Sequence, residues 1–582
     1  MKIEDIIREK HLGDKEQLDF IFSNEEKIIV TAPAGCGKTT SMISKIAREL
    51  SCGNIPPNKK ILAMTFSVNA AMKIKDSLKL LMPNIVQNYT KYLDKVDVAN
   101  YHNFAMRLLS KYGYYLNSEF SDIRYFKITN ENNEEIKRNL TNDEFEIFKG
   151  IDEAIKNCDK EYLLEKIDNY WEVLNKKLIS NHIITYNGIL ISAIILLRNN
   201  QITSFYKKYY RMIIVDEFQD TNILGYLLLE ELIDDNITIF LGDDIQKIYG
   251  FIGAMNGIFE TVYNKYNATK FEFKNNYRFE SNNEMKQLSL LIRDCAQNYK
   301  KSKLSASILL KKLDNDIDEN KFIIDGVKKL TTILDGKVAI LIRARWQGES
   351  ISEELDKNAI KYFNALYNDT DSEVINFYNI AIDEFHKNVN SRANQLDLQK
   401  CLNSIKERRK EVDIKDKRKY VFDSMYKLLE ILFLKSKEWE GTLKDKYENI
   451  KFILANNGLK HMMEFIDEPV ILTTIHSAKG LEWDYVILPR LNAYVFPSSR
   501  NVCQDCKKKK SCIVKSNNCN FLFKESMEKK FKEEINIFYV AITRAKKNVF
   551  MTVNNHYKDI NCFLNLDGIE KKDYDWDIIN NL

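Results

Sequence analysis

The chain has 582 residues, 45% hydrophobic and 29% charged, with a net charge of +4 at pH 7. That length exceeds what one hydrophobic core serves, so about two to five domains are expected. The near-balanced charge excludes a uniformly cationic coat, and any nucleic-acid surface has to be a local patch.

The N-terminal stretch "MKIEDIIREKHLGDKEQ" is charged throughout and lacks the apolar core of a signal peptide. Short β-branched runs follow: "KIIVTA" from 27, "KILAMTF" from 60, "MIIVDE" from 212 and "ITIFLGD" from 237 form one group. A second group holds "KVAILIRA" from 337, "VILTTIH" from 470 and "DYVILPR" from 484. Stretches with helical spacing, such as "AAMKIKDSLKLLM", lie between them. This alternation predicts an α/β fold with two parallel-sheet cores.

Each core is interrupted by a polar, helical segment. The expected domains are therefore a first core at 1–110 and 181–275 with an insertion at 111–180, and a second core at 276–345 and 466–582 with an insertion at 346–465. With only 7 prolines and 19 glycines, long linkers are not expected, and "DNDIDEN" at 314–320 is the best candidate loop. The longest apolar run, "ILISAIILL" at 189–197, is about half of what a bilayer needs, so a cytoplasmic protein without a membrane partner is expected. In a reducing compartment Cys52, Cys158, Cys295, Cys401 and Cys562 are expected as buried apolar fillers.

The stretch "IIVTAPAGCGKTT" is a strand, a glycine-containing loop and a helix start. Its loop runs from Ala32 through Pro33, Ala34, Gly35, Cys36 and Gly37 to Lys38, Thr39 and Thr40. The glycines let backbone amides close around phosphate oxygens, Lys38 reaches the terminal phosphates, and the Thr39 hydroxyl can ligate magnesium. Ala32 stands where the strict pattern has its first glycine. The complementary acidic strand end is "RMIIVDEFQDT", where Asp216 would hold magnesium through water and Glu217 would polarise the water attacking the γ-phosphate. Together the two motifs specify a magnesium-dependent NTPase.

An ordered series then resembles the UvrD/PcrA/Rep branch of superfamily 1 helicases: Gln17 in "DKEQLDFI", "APAGCGKT", "ILAMTFSVNAA", "ANYHNFAMRLL", "IIVDEFQDTN", "FLGDDIQKIYGFIGA", "NNYRFE", "TTIHSAKGLEWDYVIL" and "FYVAITRAKK". It spans about residues 13 to 552. The resemblance implies two RecA-like cores and an ATP-driven DNA helicase or single-strand translocase, moving 3′ to 5′ on single-stranded or tailed duplex DNA. It implies an adenine-reading Gln17, a base-stacking Tyr277 and a γ-phosphate-sensing Gln246. Arg278 and Arg544 resemble the arginines that clamp the γ-phosphate, and Gly480 and Glu482 match the motif contacting nucleotide from the second core.

A translocating protein needs base-tolerant contacts. The matching motifs offer Phe66, Tyr101, Tyr249, Phe251 and Trp483 as stacking candidates, any one of which could equally be a core residue; Tyr249 and Phe251 are the stronger, two apart just after a predicted strand end in the loop that also carries Gln246. His102, Thr474 and His476 are candidate backbone contacts. Thr40, Ile252, Ile535 and Asn536 stand where the family commonly has arginines, and the helical insertions are short for it. These departures keep a second reading open, a DNA-sensing ATPase that gates a partner nuclease, as in Gabija-type anti-phage systems. An RNA remodeller is a third.

Four cysteines crowd an insertion at about 498–524: Cys503, Cys506, Cys512 and Cys519, spaced C-x2-C-x5-C-x6-C. Four thiolates describe a structural site for zinc, or alternatively a [4Fe–4S] cluster, with an unmetallated loop also open. Lys507 to Lys510 and Lys515 lie on the same loop, as a basic tip for DNA or an acidic partner, or as a solvated charge run.

Overall fold

The computed structural model describes residues 3–86, 89–248, 250, 253–298, 302–368, 371–389, 396–411, 418–439, 442–455, 457–492, 495–497, 528–555 and 560–577. Tyr249, Phe251, Ile252 and the Cys-rich loop with Cys503, Cys506, Cys512 and Cys519 lie outside the described residues. The chain divides between Tyr277 and Arg278 into two compact units.

The first unit is built on six parallel strands: β1 (Lys27–Thr31), β2 (Lys60–Thr65), β3 (Val96–Asn100), β6 (Tyr210–Asp216), β7 (Ile237–Gly242) and β8 (Thr269–Glu272), in the order β3-β2-β6-β7-β1-β8. Because side chains alternate along a strand, the inner strands β1, β2, β6 and β7 each feed two cores. Ile28, Val30, Ile61, Ala63, Met212, Ile214, Ile239 and Leu241 join one cluster, and Ile29, Leu62, Met64, Ile213, Val215 and Phe240 join the other. Burial on both faces is what the near-continuous apolar runs anticipate.

The chain passes from β1 to β2 over two strand positions that β6 and β7 later fill. The carboxyl ends of β1, β7 and β6 therefore lie side by side, at the kind of crossover where open α/β sheets bind ligands. Helices α1 (Ile3–Lys10) and α2 (Lys15–Phe22) precede β1, and α3 (Lys38–Ser51) follows it. Met42, Ile43, Ile46, Ala47 and Leu50 of α3 recur at helical spacing and pack into the sheet's core.

Between the helix Tyr101–Tyr112 and β5 (Ile183–Thr185) the chain is mostly helical, apart from β4 (Lys127–Thr129), which pairs with β5. The helices Asn142–Asn157 and Lys160–Val173 place Phe148, Ile151, Ile155, Leu163, Ile167 and Tyr170 in the same cluster as one sheet face. The apolar run at 189–197 belongs to the buried helix Tyr186–Leu197. Among the described residues no helix is long and apolar enough to cross a membrane.

The second unit has seven parallel strands: β9 (Ala306–Leu313), β10 (Val338–Ile342), β11 (Phe363–Asn364), β12 (Val470–Thr474), β13 (Trp483–Leu488), β14 (Ala545–Asn554) and β15 (Ile569–Lys572), ordered β11-β12-β10-β13-β14-β9-β15. The fold is thus α/β with two RecA-like parallel-sheet cores. Helices Ser372–Asn388, Leu398–Glu407, Lys419–Glu438 and Leu443–Ala455 occupy the stretch between β11 and β12.

Two expectations need correction. The segment 314–320 is not a loop: Asn315 caps the helix Asp316–Thr332 by accepting from the amides of Ile317 and Asp318. Its acidic residues suit a helix N-terminus, and buried Glu319 accepts hydrogen bonds from Arg490 N and Asn554 Nδ2. Of the five scattered cysteines, Cys295 and Cys401 are buried and Cys158 and Cys562 half-buried, but Cys52 is exposed, at the end of α3.

Candidate active site

Gly35 and Gly37 take positive φ values of 80° and 75°, which a Cβ would resist, and Gly37 precedes the first turn of α3 without a side-chain cap. The amides that open α3 are thereby left for an anion. Ala32 N donates to Gly242 O at 3.0 Å, tying the loop to the end of β7. Lys38 opens α3, with Thr39 and Thr40 beside it in the first turn.

Lys38 Nζ lies 2.5 Å from Glu217 Oε1 and 3.3 Å from Asp216 Oδ1. Burial opposes the ammonium charge, but attraction by Asp216 and Glu217 overcomes it and holds Lys38 protonated, well above the ordinary lysine range. Burial pushes the Asp216 carboxyl up; Lys38 pulls against that, and the neighbouring Glu217 charge adds to it. Glu217 sits in the left-handed region at φ 52°, a costly conformation for a non-glycine residue that sets it just past the end of β6.

Glu217 is held in turn. Gln219 Nε2 donates to Glu217 Oε2 at 2.5 Å, and Gln219 Oε1 accepts from Asp243 N at 3.0 Å. Gln246 Nε2 donates to Asp243 Oδ2 at 3.0 Å. A hydrogen-bonded chain therefore runs from Glu217 through Gln219 and Asp243 to Gln246, linking the ends of β6 and β7.

On the other side of the loop Gln17, only 2% exposed, donates from Nε2 to Cys36 O at 3.0 Å. A Cβ on Gly37 would meet Gln17 Nε2 at 2.6 Å, so the glycine serves both the turn and this close approach. Asp14 caps α2 through Gln17 N at 3.0 Å and accepts from Tyr277 Oη at 2.5 Å and Asn275 Nδ2 at 3.0 Å. Burial works against the Asp14 charge, but the donors led by Tyr277 outweigh it and hold the carboxyl below its usual range. Tyr277 N and Asn276 Nδ2 also reach Gly35 O and Ala34 O, at 2.9 and 3.0 Å. Gln17, the phosphate loop, Lys38, Asp216, Glu217, Gln246 and Tyr277 are thus joined by direct contacts or through one or two intervening residues.

In the second unit Arg278 donates to Thr543 O and Glu482, while Arg544, 3% exposed, reaches Val540 O at 3.0 Å, Leu481 O at 3.3 Å and Thr543 Oγ1 at 3.1 Å. Trp483 N donates to Arg544 O at 3.0 Å, and exposed Gly480 takes φ 84°. Arg278, Glu482 and Arg544 therefore converge at the amino ends of β13 and β14.

The nucleic-acid candidates separate by burial. Tyr101, 3% exposed, bonds Thr221 Oγ1 at 2.9 Å, and Trp483, 5% exposed, starts β13; both are core residues here, with no face open for stacking. Phe66 is half-buried just after β2. His102 packs edge-on against Tyr186, its pKa pushed to about 4 by burial. His476 is likewise pushed to about 4, by burial first and then by Arg343 and Lys479. Thr474 ends β12 and bonds Ser477 Oγ at 3.1 Å. Both histidines are neutral near pH 7 and offer N–H groups rather than charge.

The UvrD/REP helicase N-terminal domain family matches residues 14–267, and the UvrD-like helicase C-terminal domain family matches residues 365–556, together more than half of the chain. The chain belongs to the UvrD/Rep helicase family. The "Probable DNA helicase II homolog" of Rickettsia conorii is 24% identical over 657 residues, covering 93% of this chain and 92% of that protein. That of Mycoplasma genitalium is 26% identical over 651 residues, covering 94% and 86%. The "ATP-dependent DNA helicase Rep" of Buchnera aphidicola is 23% identical over 630 residues, covering 90% and 88%.

Sequence reasoning on this UvrD/Rep-family chain missed His11, Asp14, Gln219, Asp243 and Asn276. None has a motif role of its own; His11 and Asp14 hold the base-side residues Gln17 and Tyr277, Gln219 and Asp243 hold Glu217 and Gln246, and Asn276 holds the loop at Ala34 O. A partial signal was present: Gln219 and Asp243 lie inside the quoted "VDEFQD" and "LGDDIQ" motifs, and Asp14 stands where an N-cap belongs, three residues before Gln17.

Proposed function

We propose that the chain is an ATP-dependent DNA helicase or single-stranded DNA translocase, moving 3′ to 5′. The observation that carries this reading is Lys38 held between Asp216 and Glu217 at the carboxyl ends of β1 and β6, in a chain of the UvrD/Rep family. In this reading the amides opening α3 and Lys38 hold the phosphates of ATP. Glu217, fixed by Gln219, orients the attacking water, and Gln246 reports the γ-phosphate through Asp243. Arg278 and Arg544 supply positive charge to the transferring group, with Gly480 and Glu482 beside them. Phe66, His102, Thr474 and His476 contact the strand.

Magnesium fits the donors present. Thr39 offers a hydroxyl and Asp216 a carboxylate, the hard oxygen ligands that magnesium takes alongside phosphates. Among the described residues no group of three or more histidine, cysteine or carboxylate side chains forms a closed metal cage. Bound there, the ion would neutralise charge on the phosphates, while Lys38 and the two carboxylates keep the site aligned. The spacing of Cys503, Cys506, Cys512 and Cys519 supports a separate structural zinc or iron–sulfur site, which metal analysis of the purified protein decides by stoichiometric colourless zinc or by iron and brown colour.

A second reading, a DNA-sensing ATPase that gates a partner nuclease, is favoured by one feature. At the position of the family's arginine pair, Ile535 is 0% exposed and Asn536 3% exposed, so that helix turn is packed inside rather than presenting cations. Strand separation of a 3′-tailed duplex by the purified chain supports the helicase. DNA-stimulated ATP turnover without any strand separation supports the sensor, and stronger stimulation by RNA than by DNA overturns both.

A further inference from the structure

Behind Gln17 stands His11, which lies before the residues that the N-terminal helicase family matches. It is 3% exposed and sits between α1 and α2. Its Nδ1 is hydrogen-bonded to Gln17 Oε1, and its Nε2 lies 2.8 Å from Ser44 Oγ on α3.

The roles of these atoms follow from one fixed point. Cys36 O is a carbonyl and only accepts, so the atom of Gln17 bonded to it is the amide nitrogen. The other head of the carboxamide, facing His11, is then the oxygen, which also only accepts. Nδ1 of His11 must therefore carry the hydrogen. In the neutral ring Nε2 is left as an acceptor, and the Ser44 hydroxyl donates to it. Burial lowers the His11 pKa, in keeping with a neutral ring.

Each head of the Gln17 amide has now spent one bond. One N–H on Nε2 and one lone pair on Oε1 remain. Adenine presents an N7 acceptor beside an N6 amino donor on one edge, whereas guanine presents two acceptors, N7 and O6. The remaining donor and acceptor of Gln17 complement adenine, and against guanine they set acceptor against acceptor.

We infer that His11 is a positioning residue for nucleotide selection: by donating from Nδ1 it fixes the Gln17 carboxamide in the orientation that accepts ATP and disfavours GTP. The inference rests on the proposed role of Gln17 as the base reader.

The test is steady-state turnover of ATP and GTP by the full chain with saturating single-stranded DNA. His11→Phe keeps the ring volume and loses the donor. It should lower the ATP-over-GTP ratio of kcat/KM about tenfold, through the KM for ATP, with kcat nearly unchanged. His11→Asn, whose amide can stand in for Nδ1–H, should restore most of the ratio. Ser44→Ala frees the tautomer and should lower the ratio by less, which covers the case of a poorly folding His11→Phe. Gln17→Ala runs alongside. If Gln17→Ala loses selectivity while His11→Phe and Ser44→Ala keep it, the inference is overturned and the base-reading role stands. If Gln17→Ala keeps wild-type selectivity, that role falls and the inference with it. A drop in kcat for both nucleotides that His11→Asn does not repair marks a merely structural histidine and also overturns the inference.

Discussion

Lys38 of the first unit and Arg544 of the second are held by different means. In the first, Lys38 lies against the carboxylates of Asp216 and Glu217, so side chains of opposite sign compensate one another. In the second, Arg544 is held by the carbonyls of Val540 and Leu481 and the Thr543 hydroxyl, and Arg278 by Thr543 O and Glu482. Truncating a member of the first set leaves a buried charge short of its partner, which costs stability as well as chemistry. Truncating Arg544 leaves neutral acceptors, two carbonyls and the Thr543 hydroxyl, which are less costly to strand.

The largest effect is expected in the second unit. Arg544→Ala should lower ATP turnover by about 10³-fold while nucleotide binding survives, the magnitude typical of an arginine that stabilises a transferring phosphoryl group. Unchanged turnover would remove Arg544 from that role. In the first unit Glu217→Gln preserves shape while removing the charge that pairs with Lys38. It should bind ATP and DNA but turn over about 10²-fold more slowly. Nucleotide binding measured beside turnover separates the two effects.

A smaller change is expected from Gly37→Ala. The new Cβ would meet Gln17 Nε2 and would sit at φ 75°, so the KM for ATP should rise about tenfold, with a lower melting temperature. Turnover at saturating ATP should fall much less.

The smallest effect concerns acid. Burial pushes His102, His461 and His476 to about 4, so the folded chain resists protons that the unfolded chain takes up near pH 6.5. Between those values the unfolded state binds more protons, and stability falls as pH falls. Glu131 acts in the opposite sense: burial pushes its carboxyl to about 7, so the folded state binds the extra proton between about 7 and 4.5. His102 and Glu131 lie in the first unit and His461 and His476 in the second. Melting temperature should therefore decline from pH 6.5 toward 4, and Glu131→Gln should steepen that decline.

What the sequence revealed depended on where each residue sits. The central strands β1, β2, β6, β7 and β10 are buried on both faces and read as unbroken apolar runs. The edge strands β8, "TKFE", and β15, "IEKK", alternate with charge or are exposed, and carry no such run. β9 ends in "KKL" and β14 opens with "AKKN", so both hid behind their lysines although they lie inside the sheet. The same division holds at the site. Lys38, Asp216 and Glu217 announce themselves because phosphate chemistry fixes their type and spacing. His11 meets Ser44 across 33 positions, a contact that no local pattern encodes.

The most direct measurement is ATP turnover by the purified chain with and without single-stranded DNA, for wild type and Lys38→Ala, with melting temperature checking that the variant folds. Turnover stimulated by DNA in the wild type and absent from the folded variant is the predicted result. DNA-stimulated turnover that persists in Lys38→Ala would contradict the placement of ATP hydrolysis at Lys38, Asp216 and Glu217.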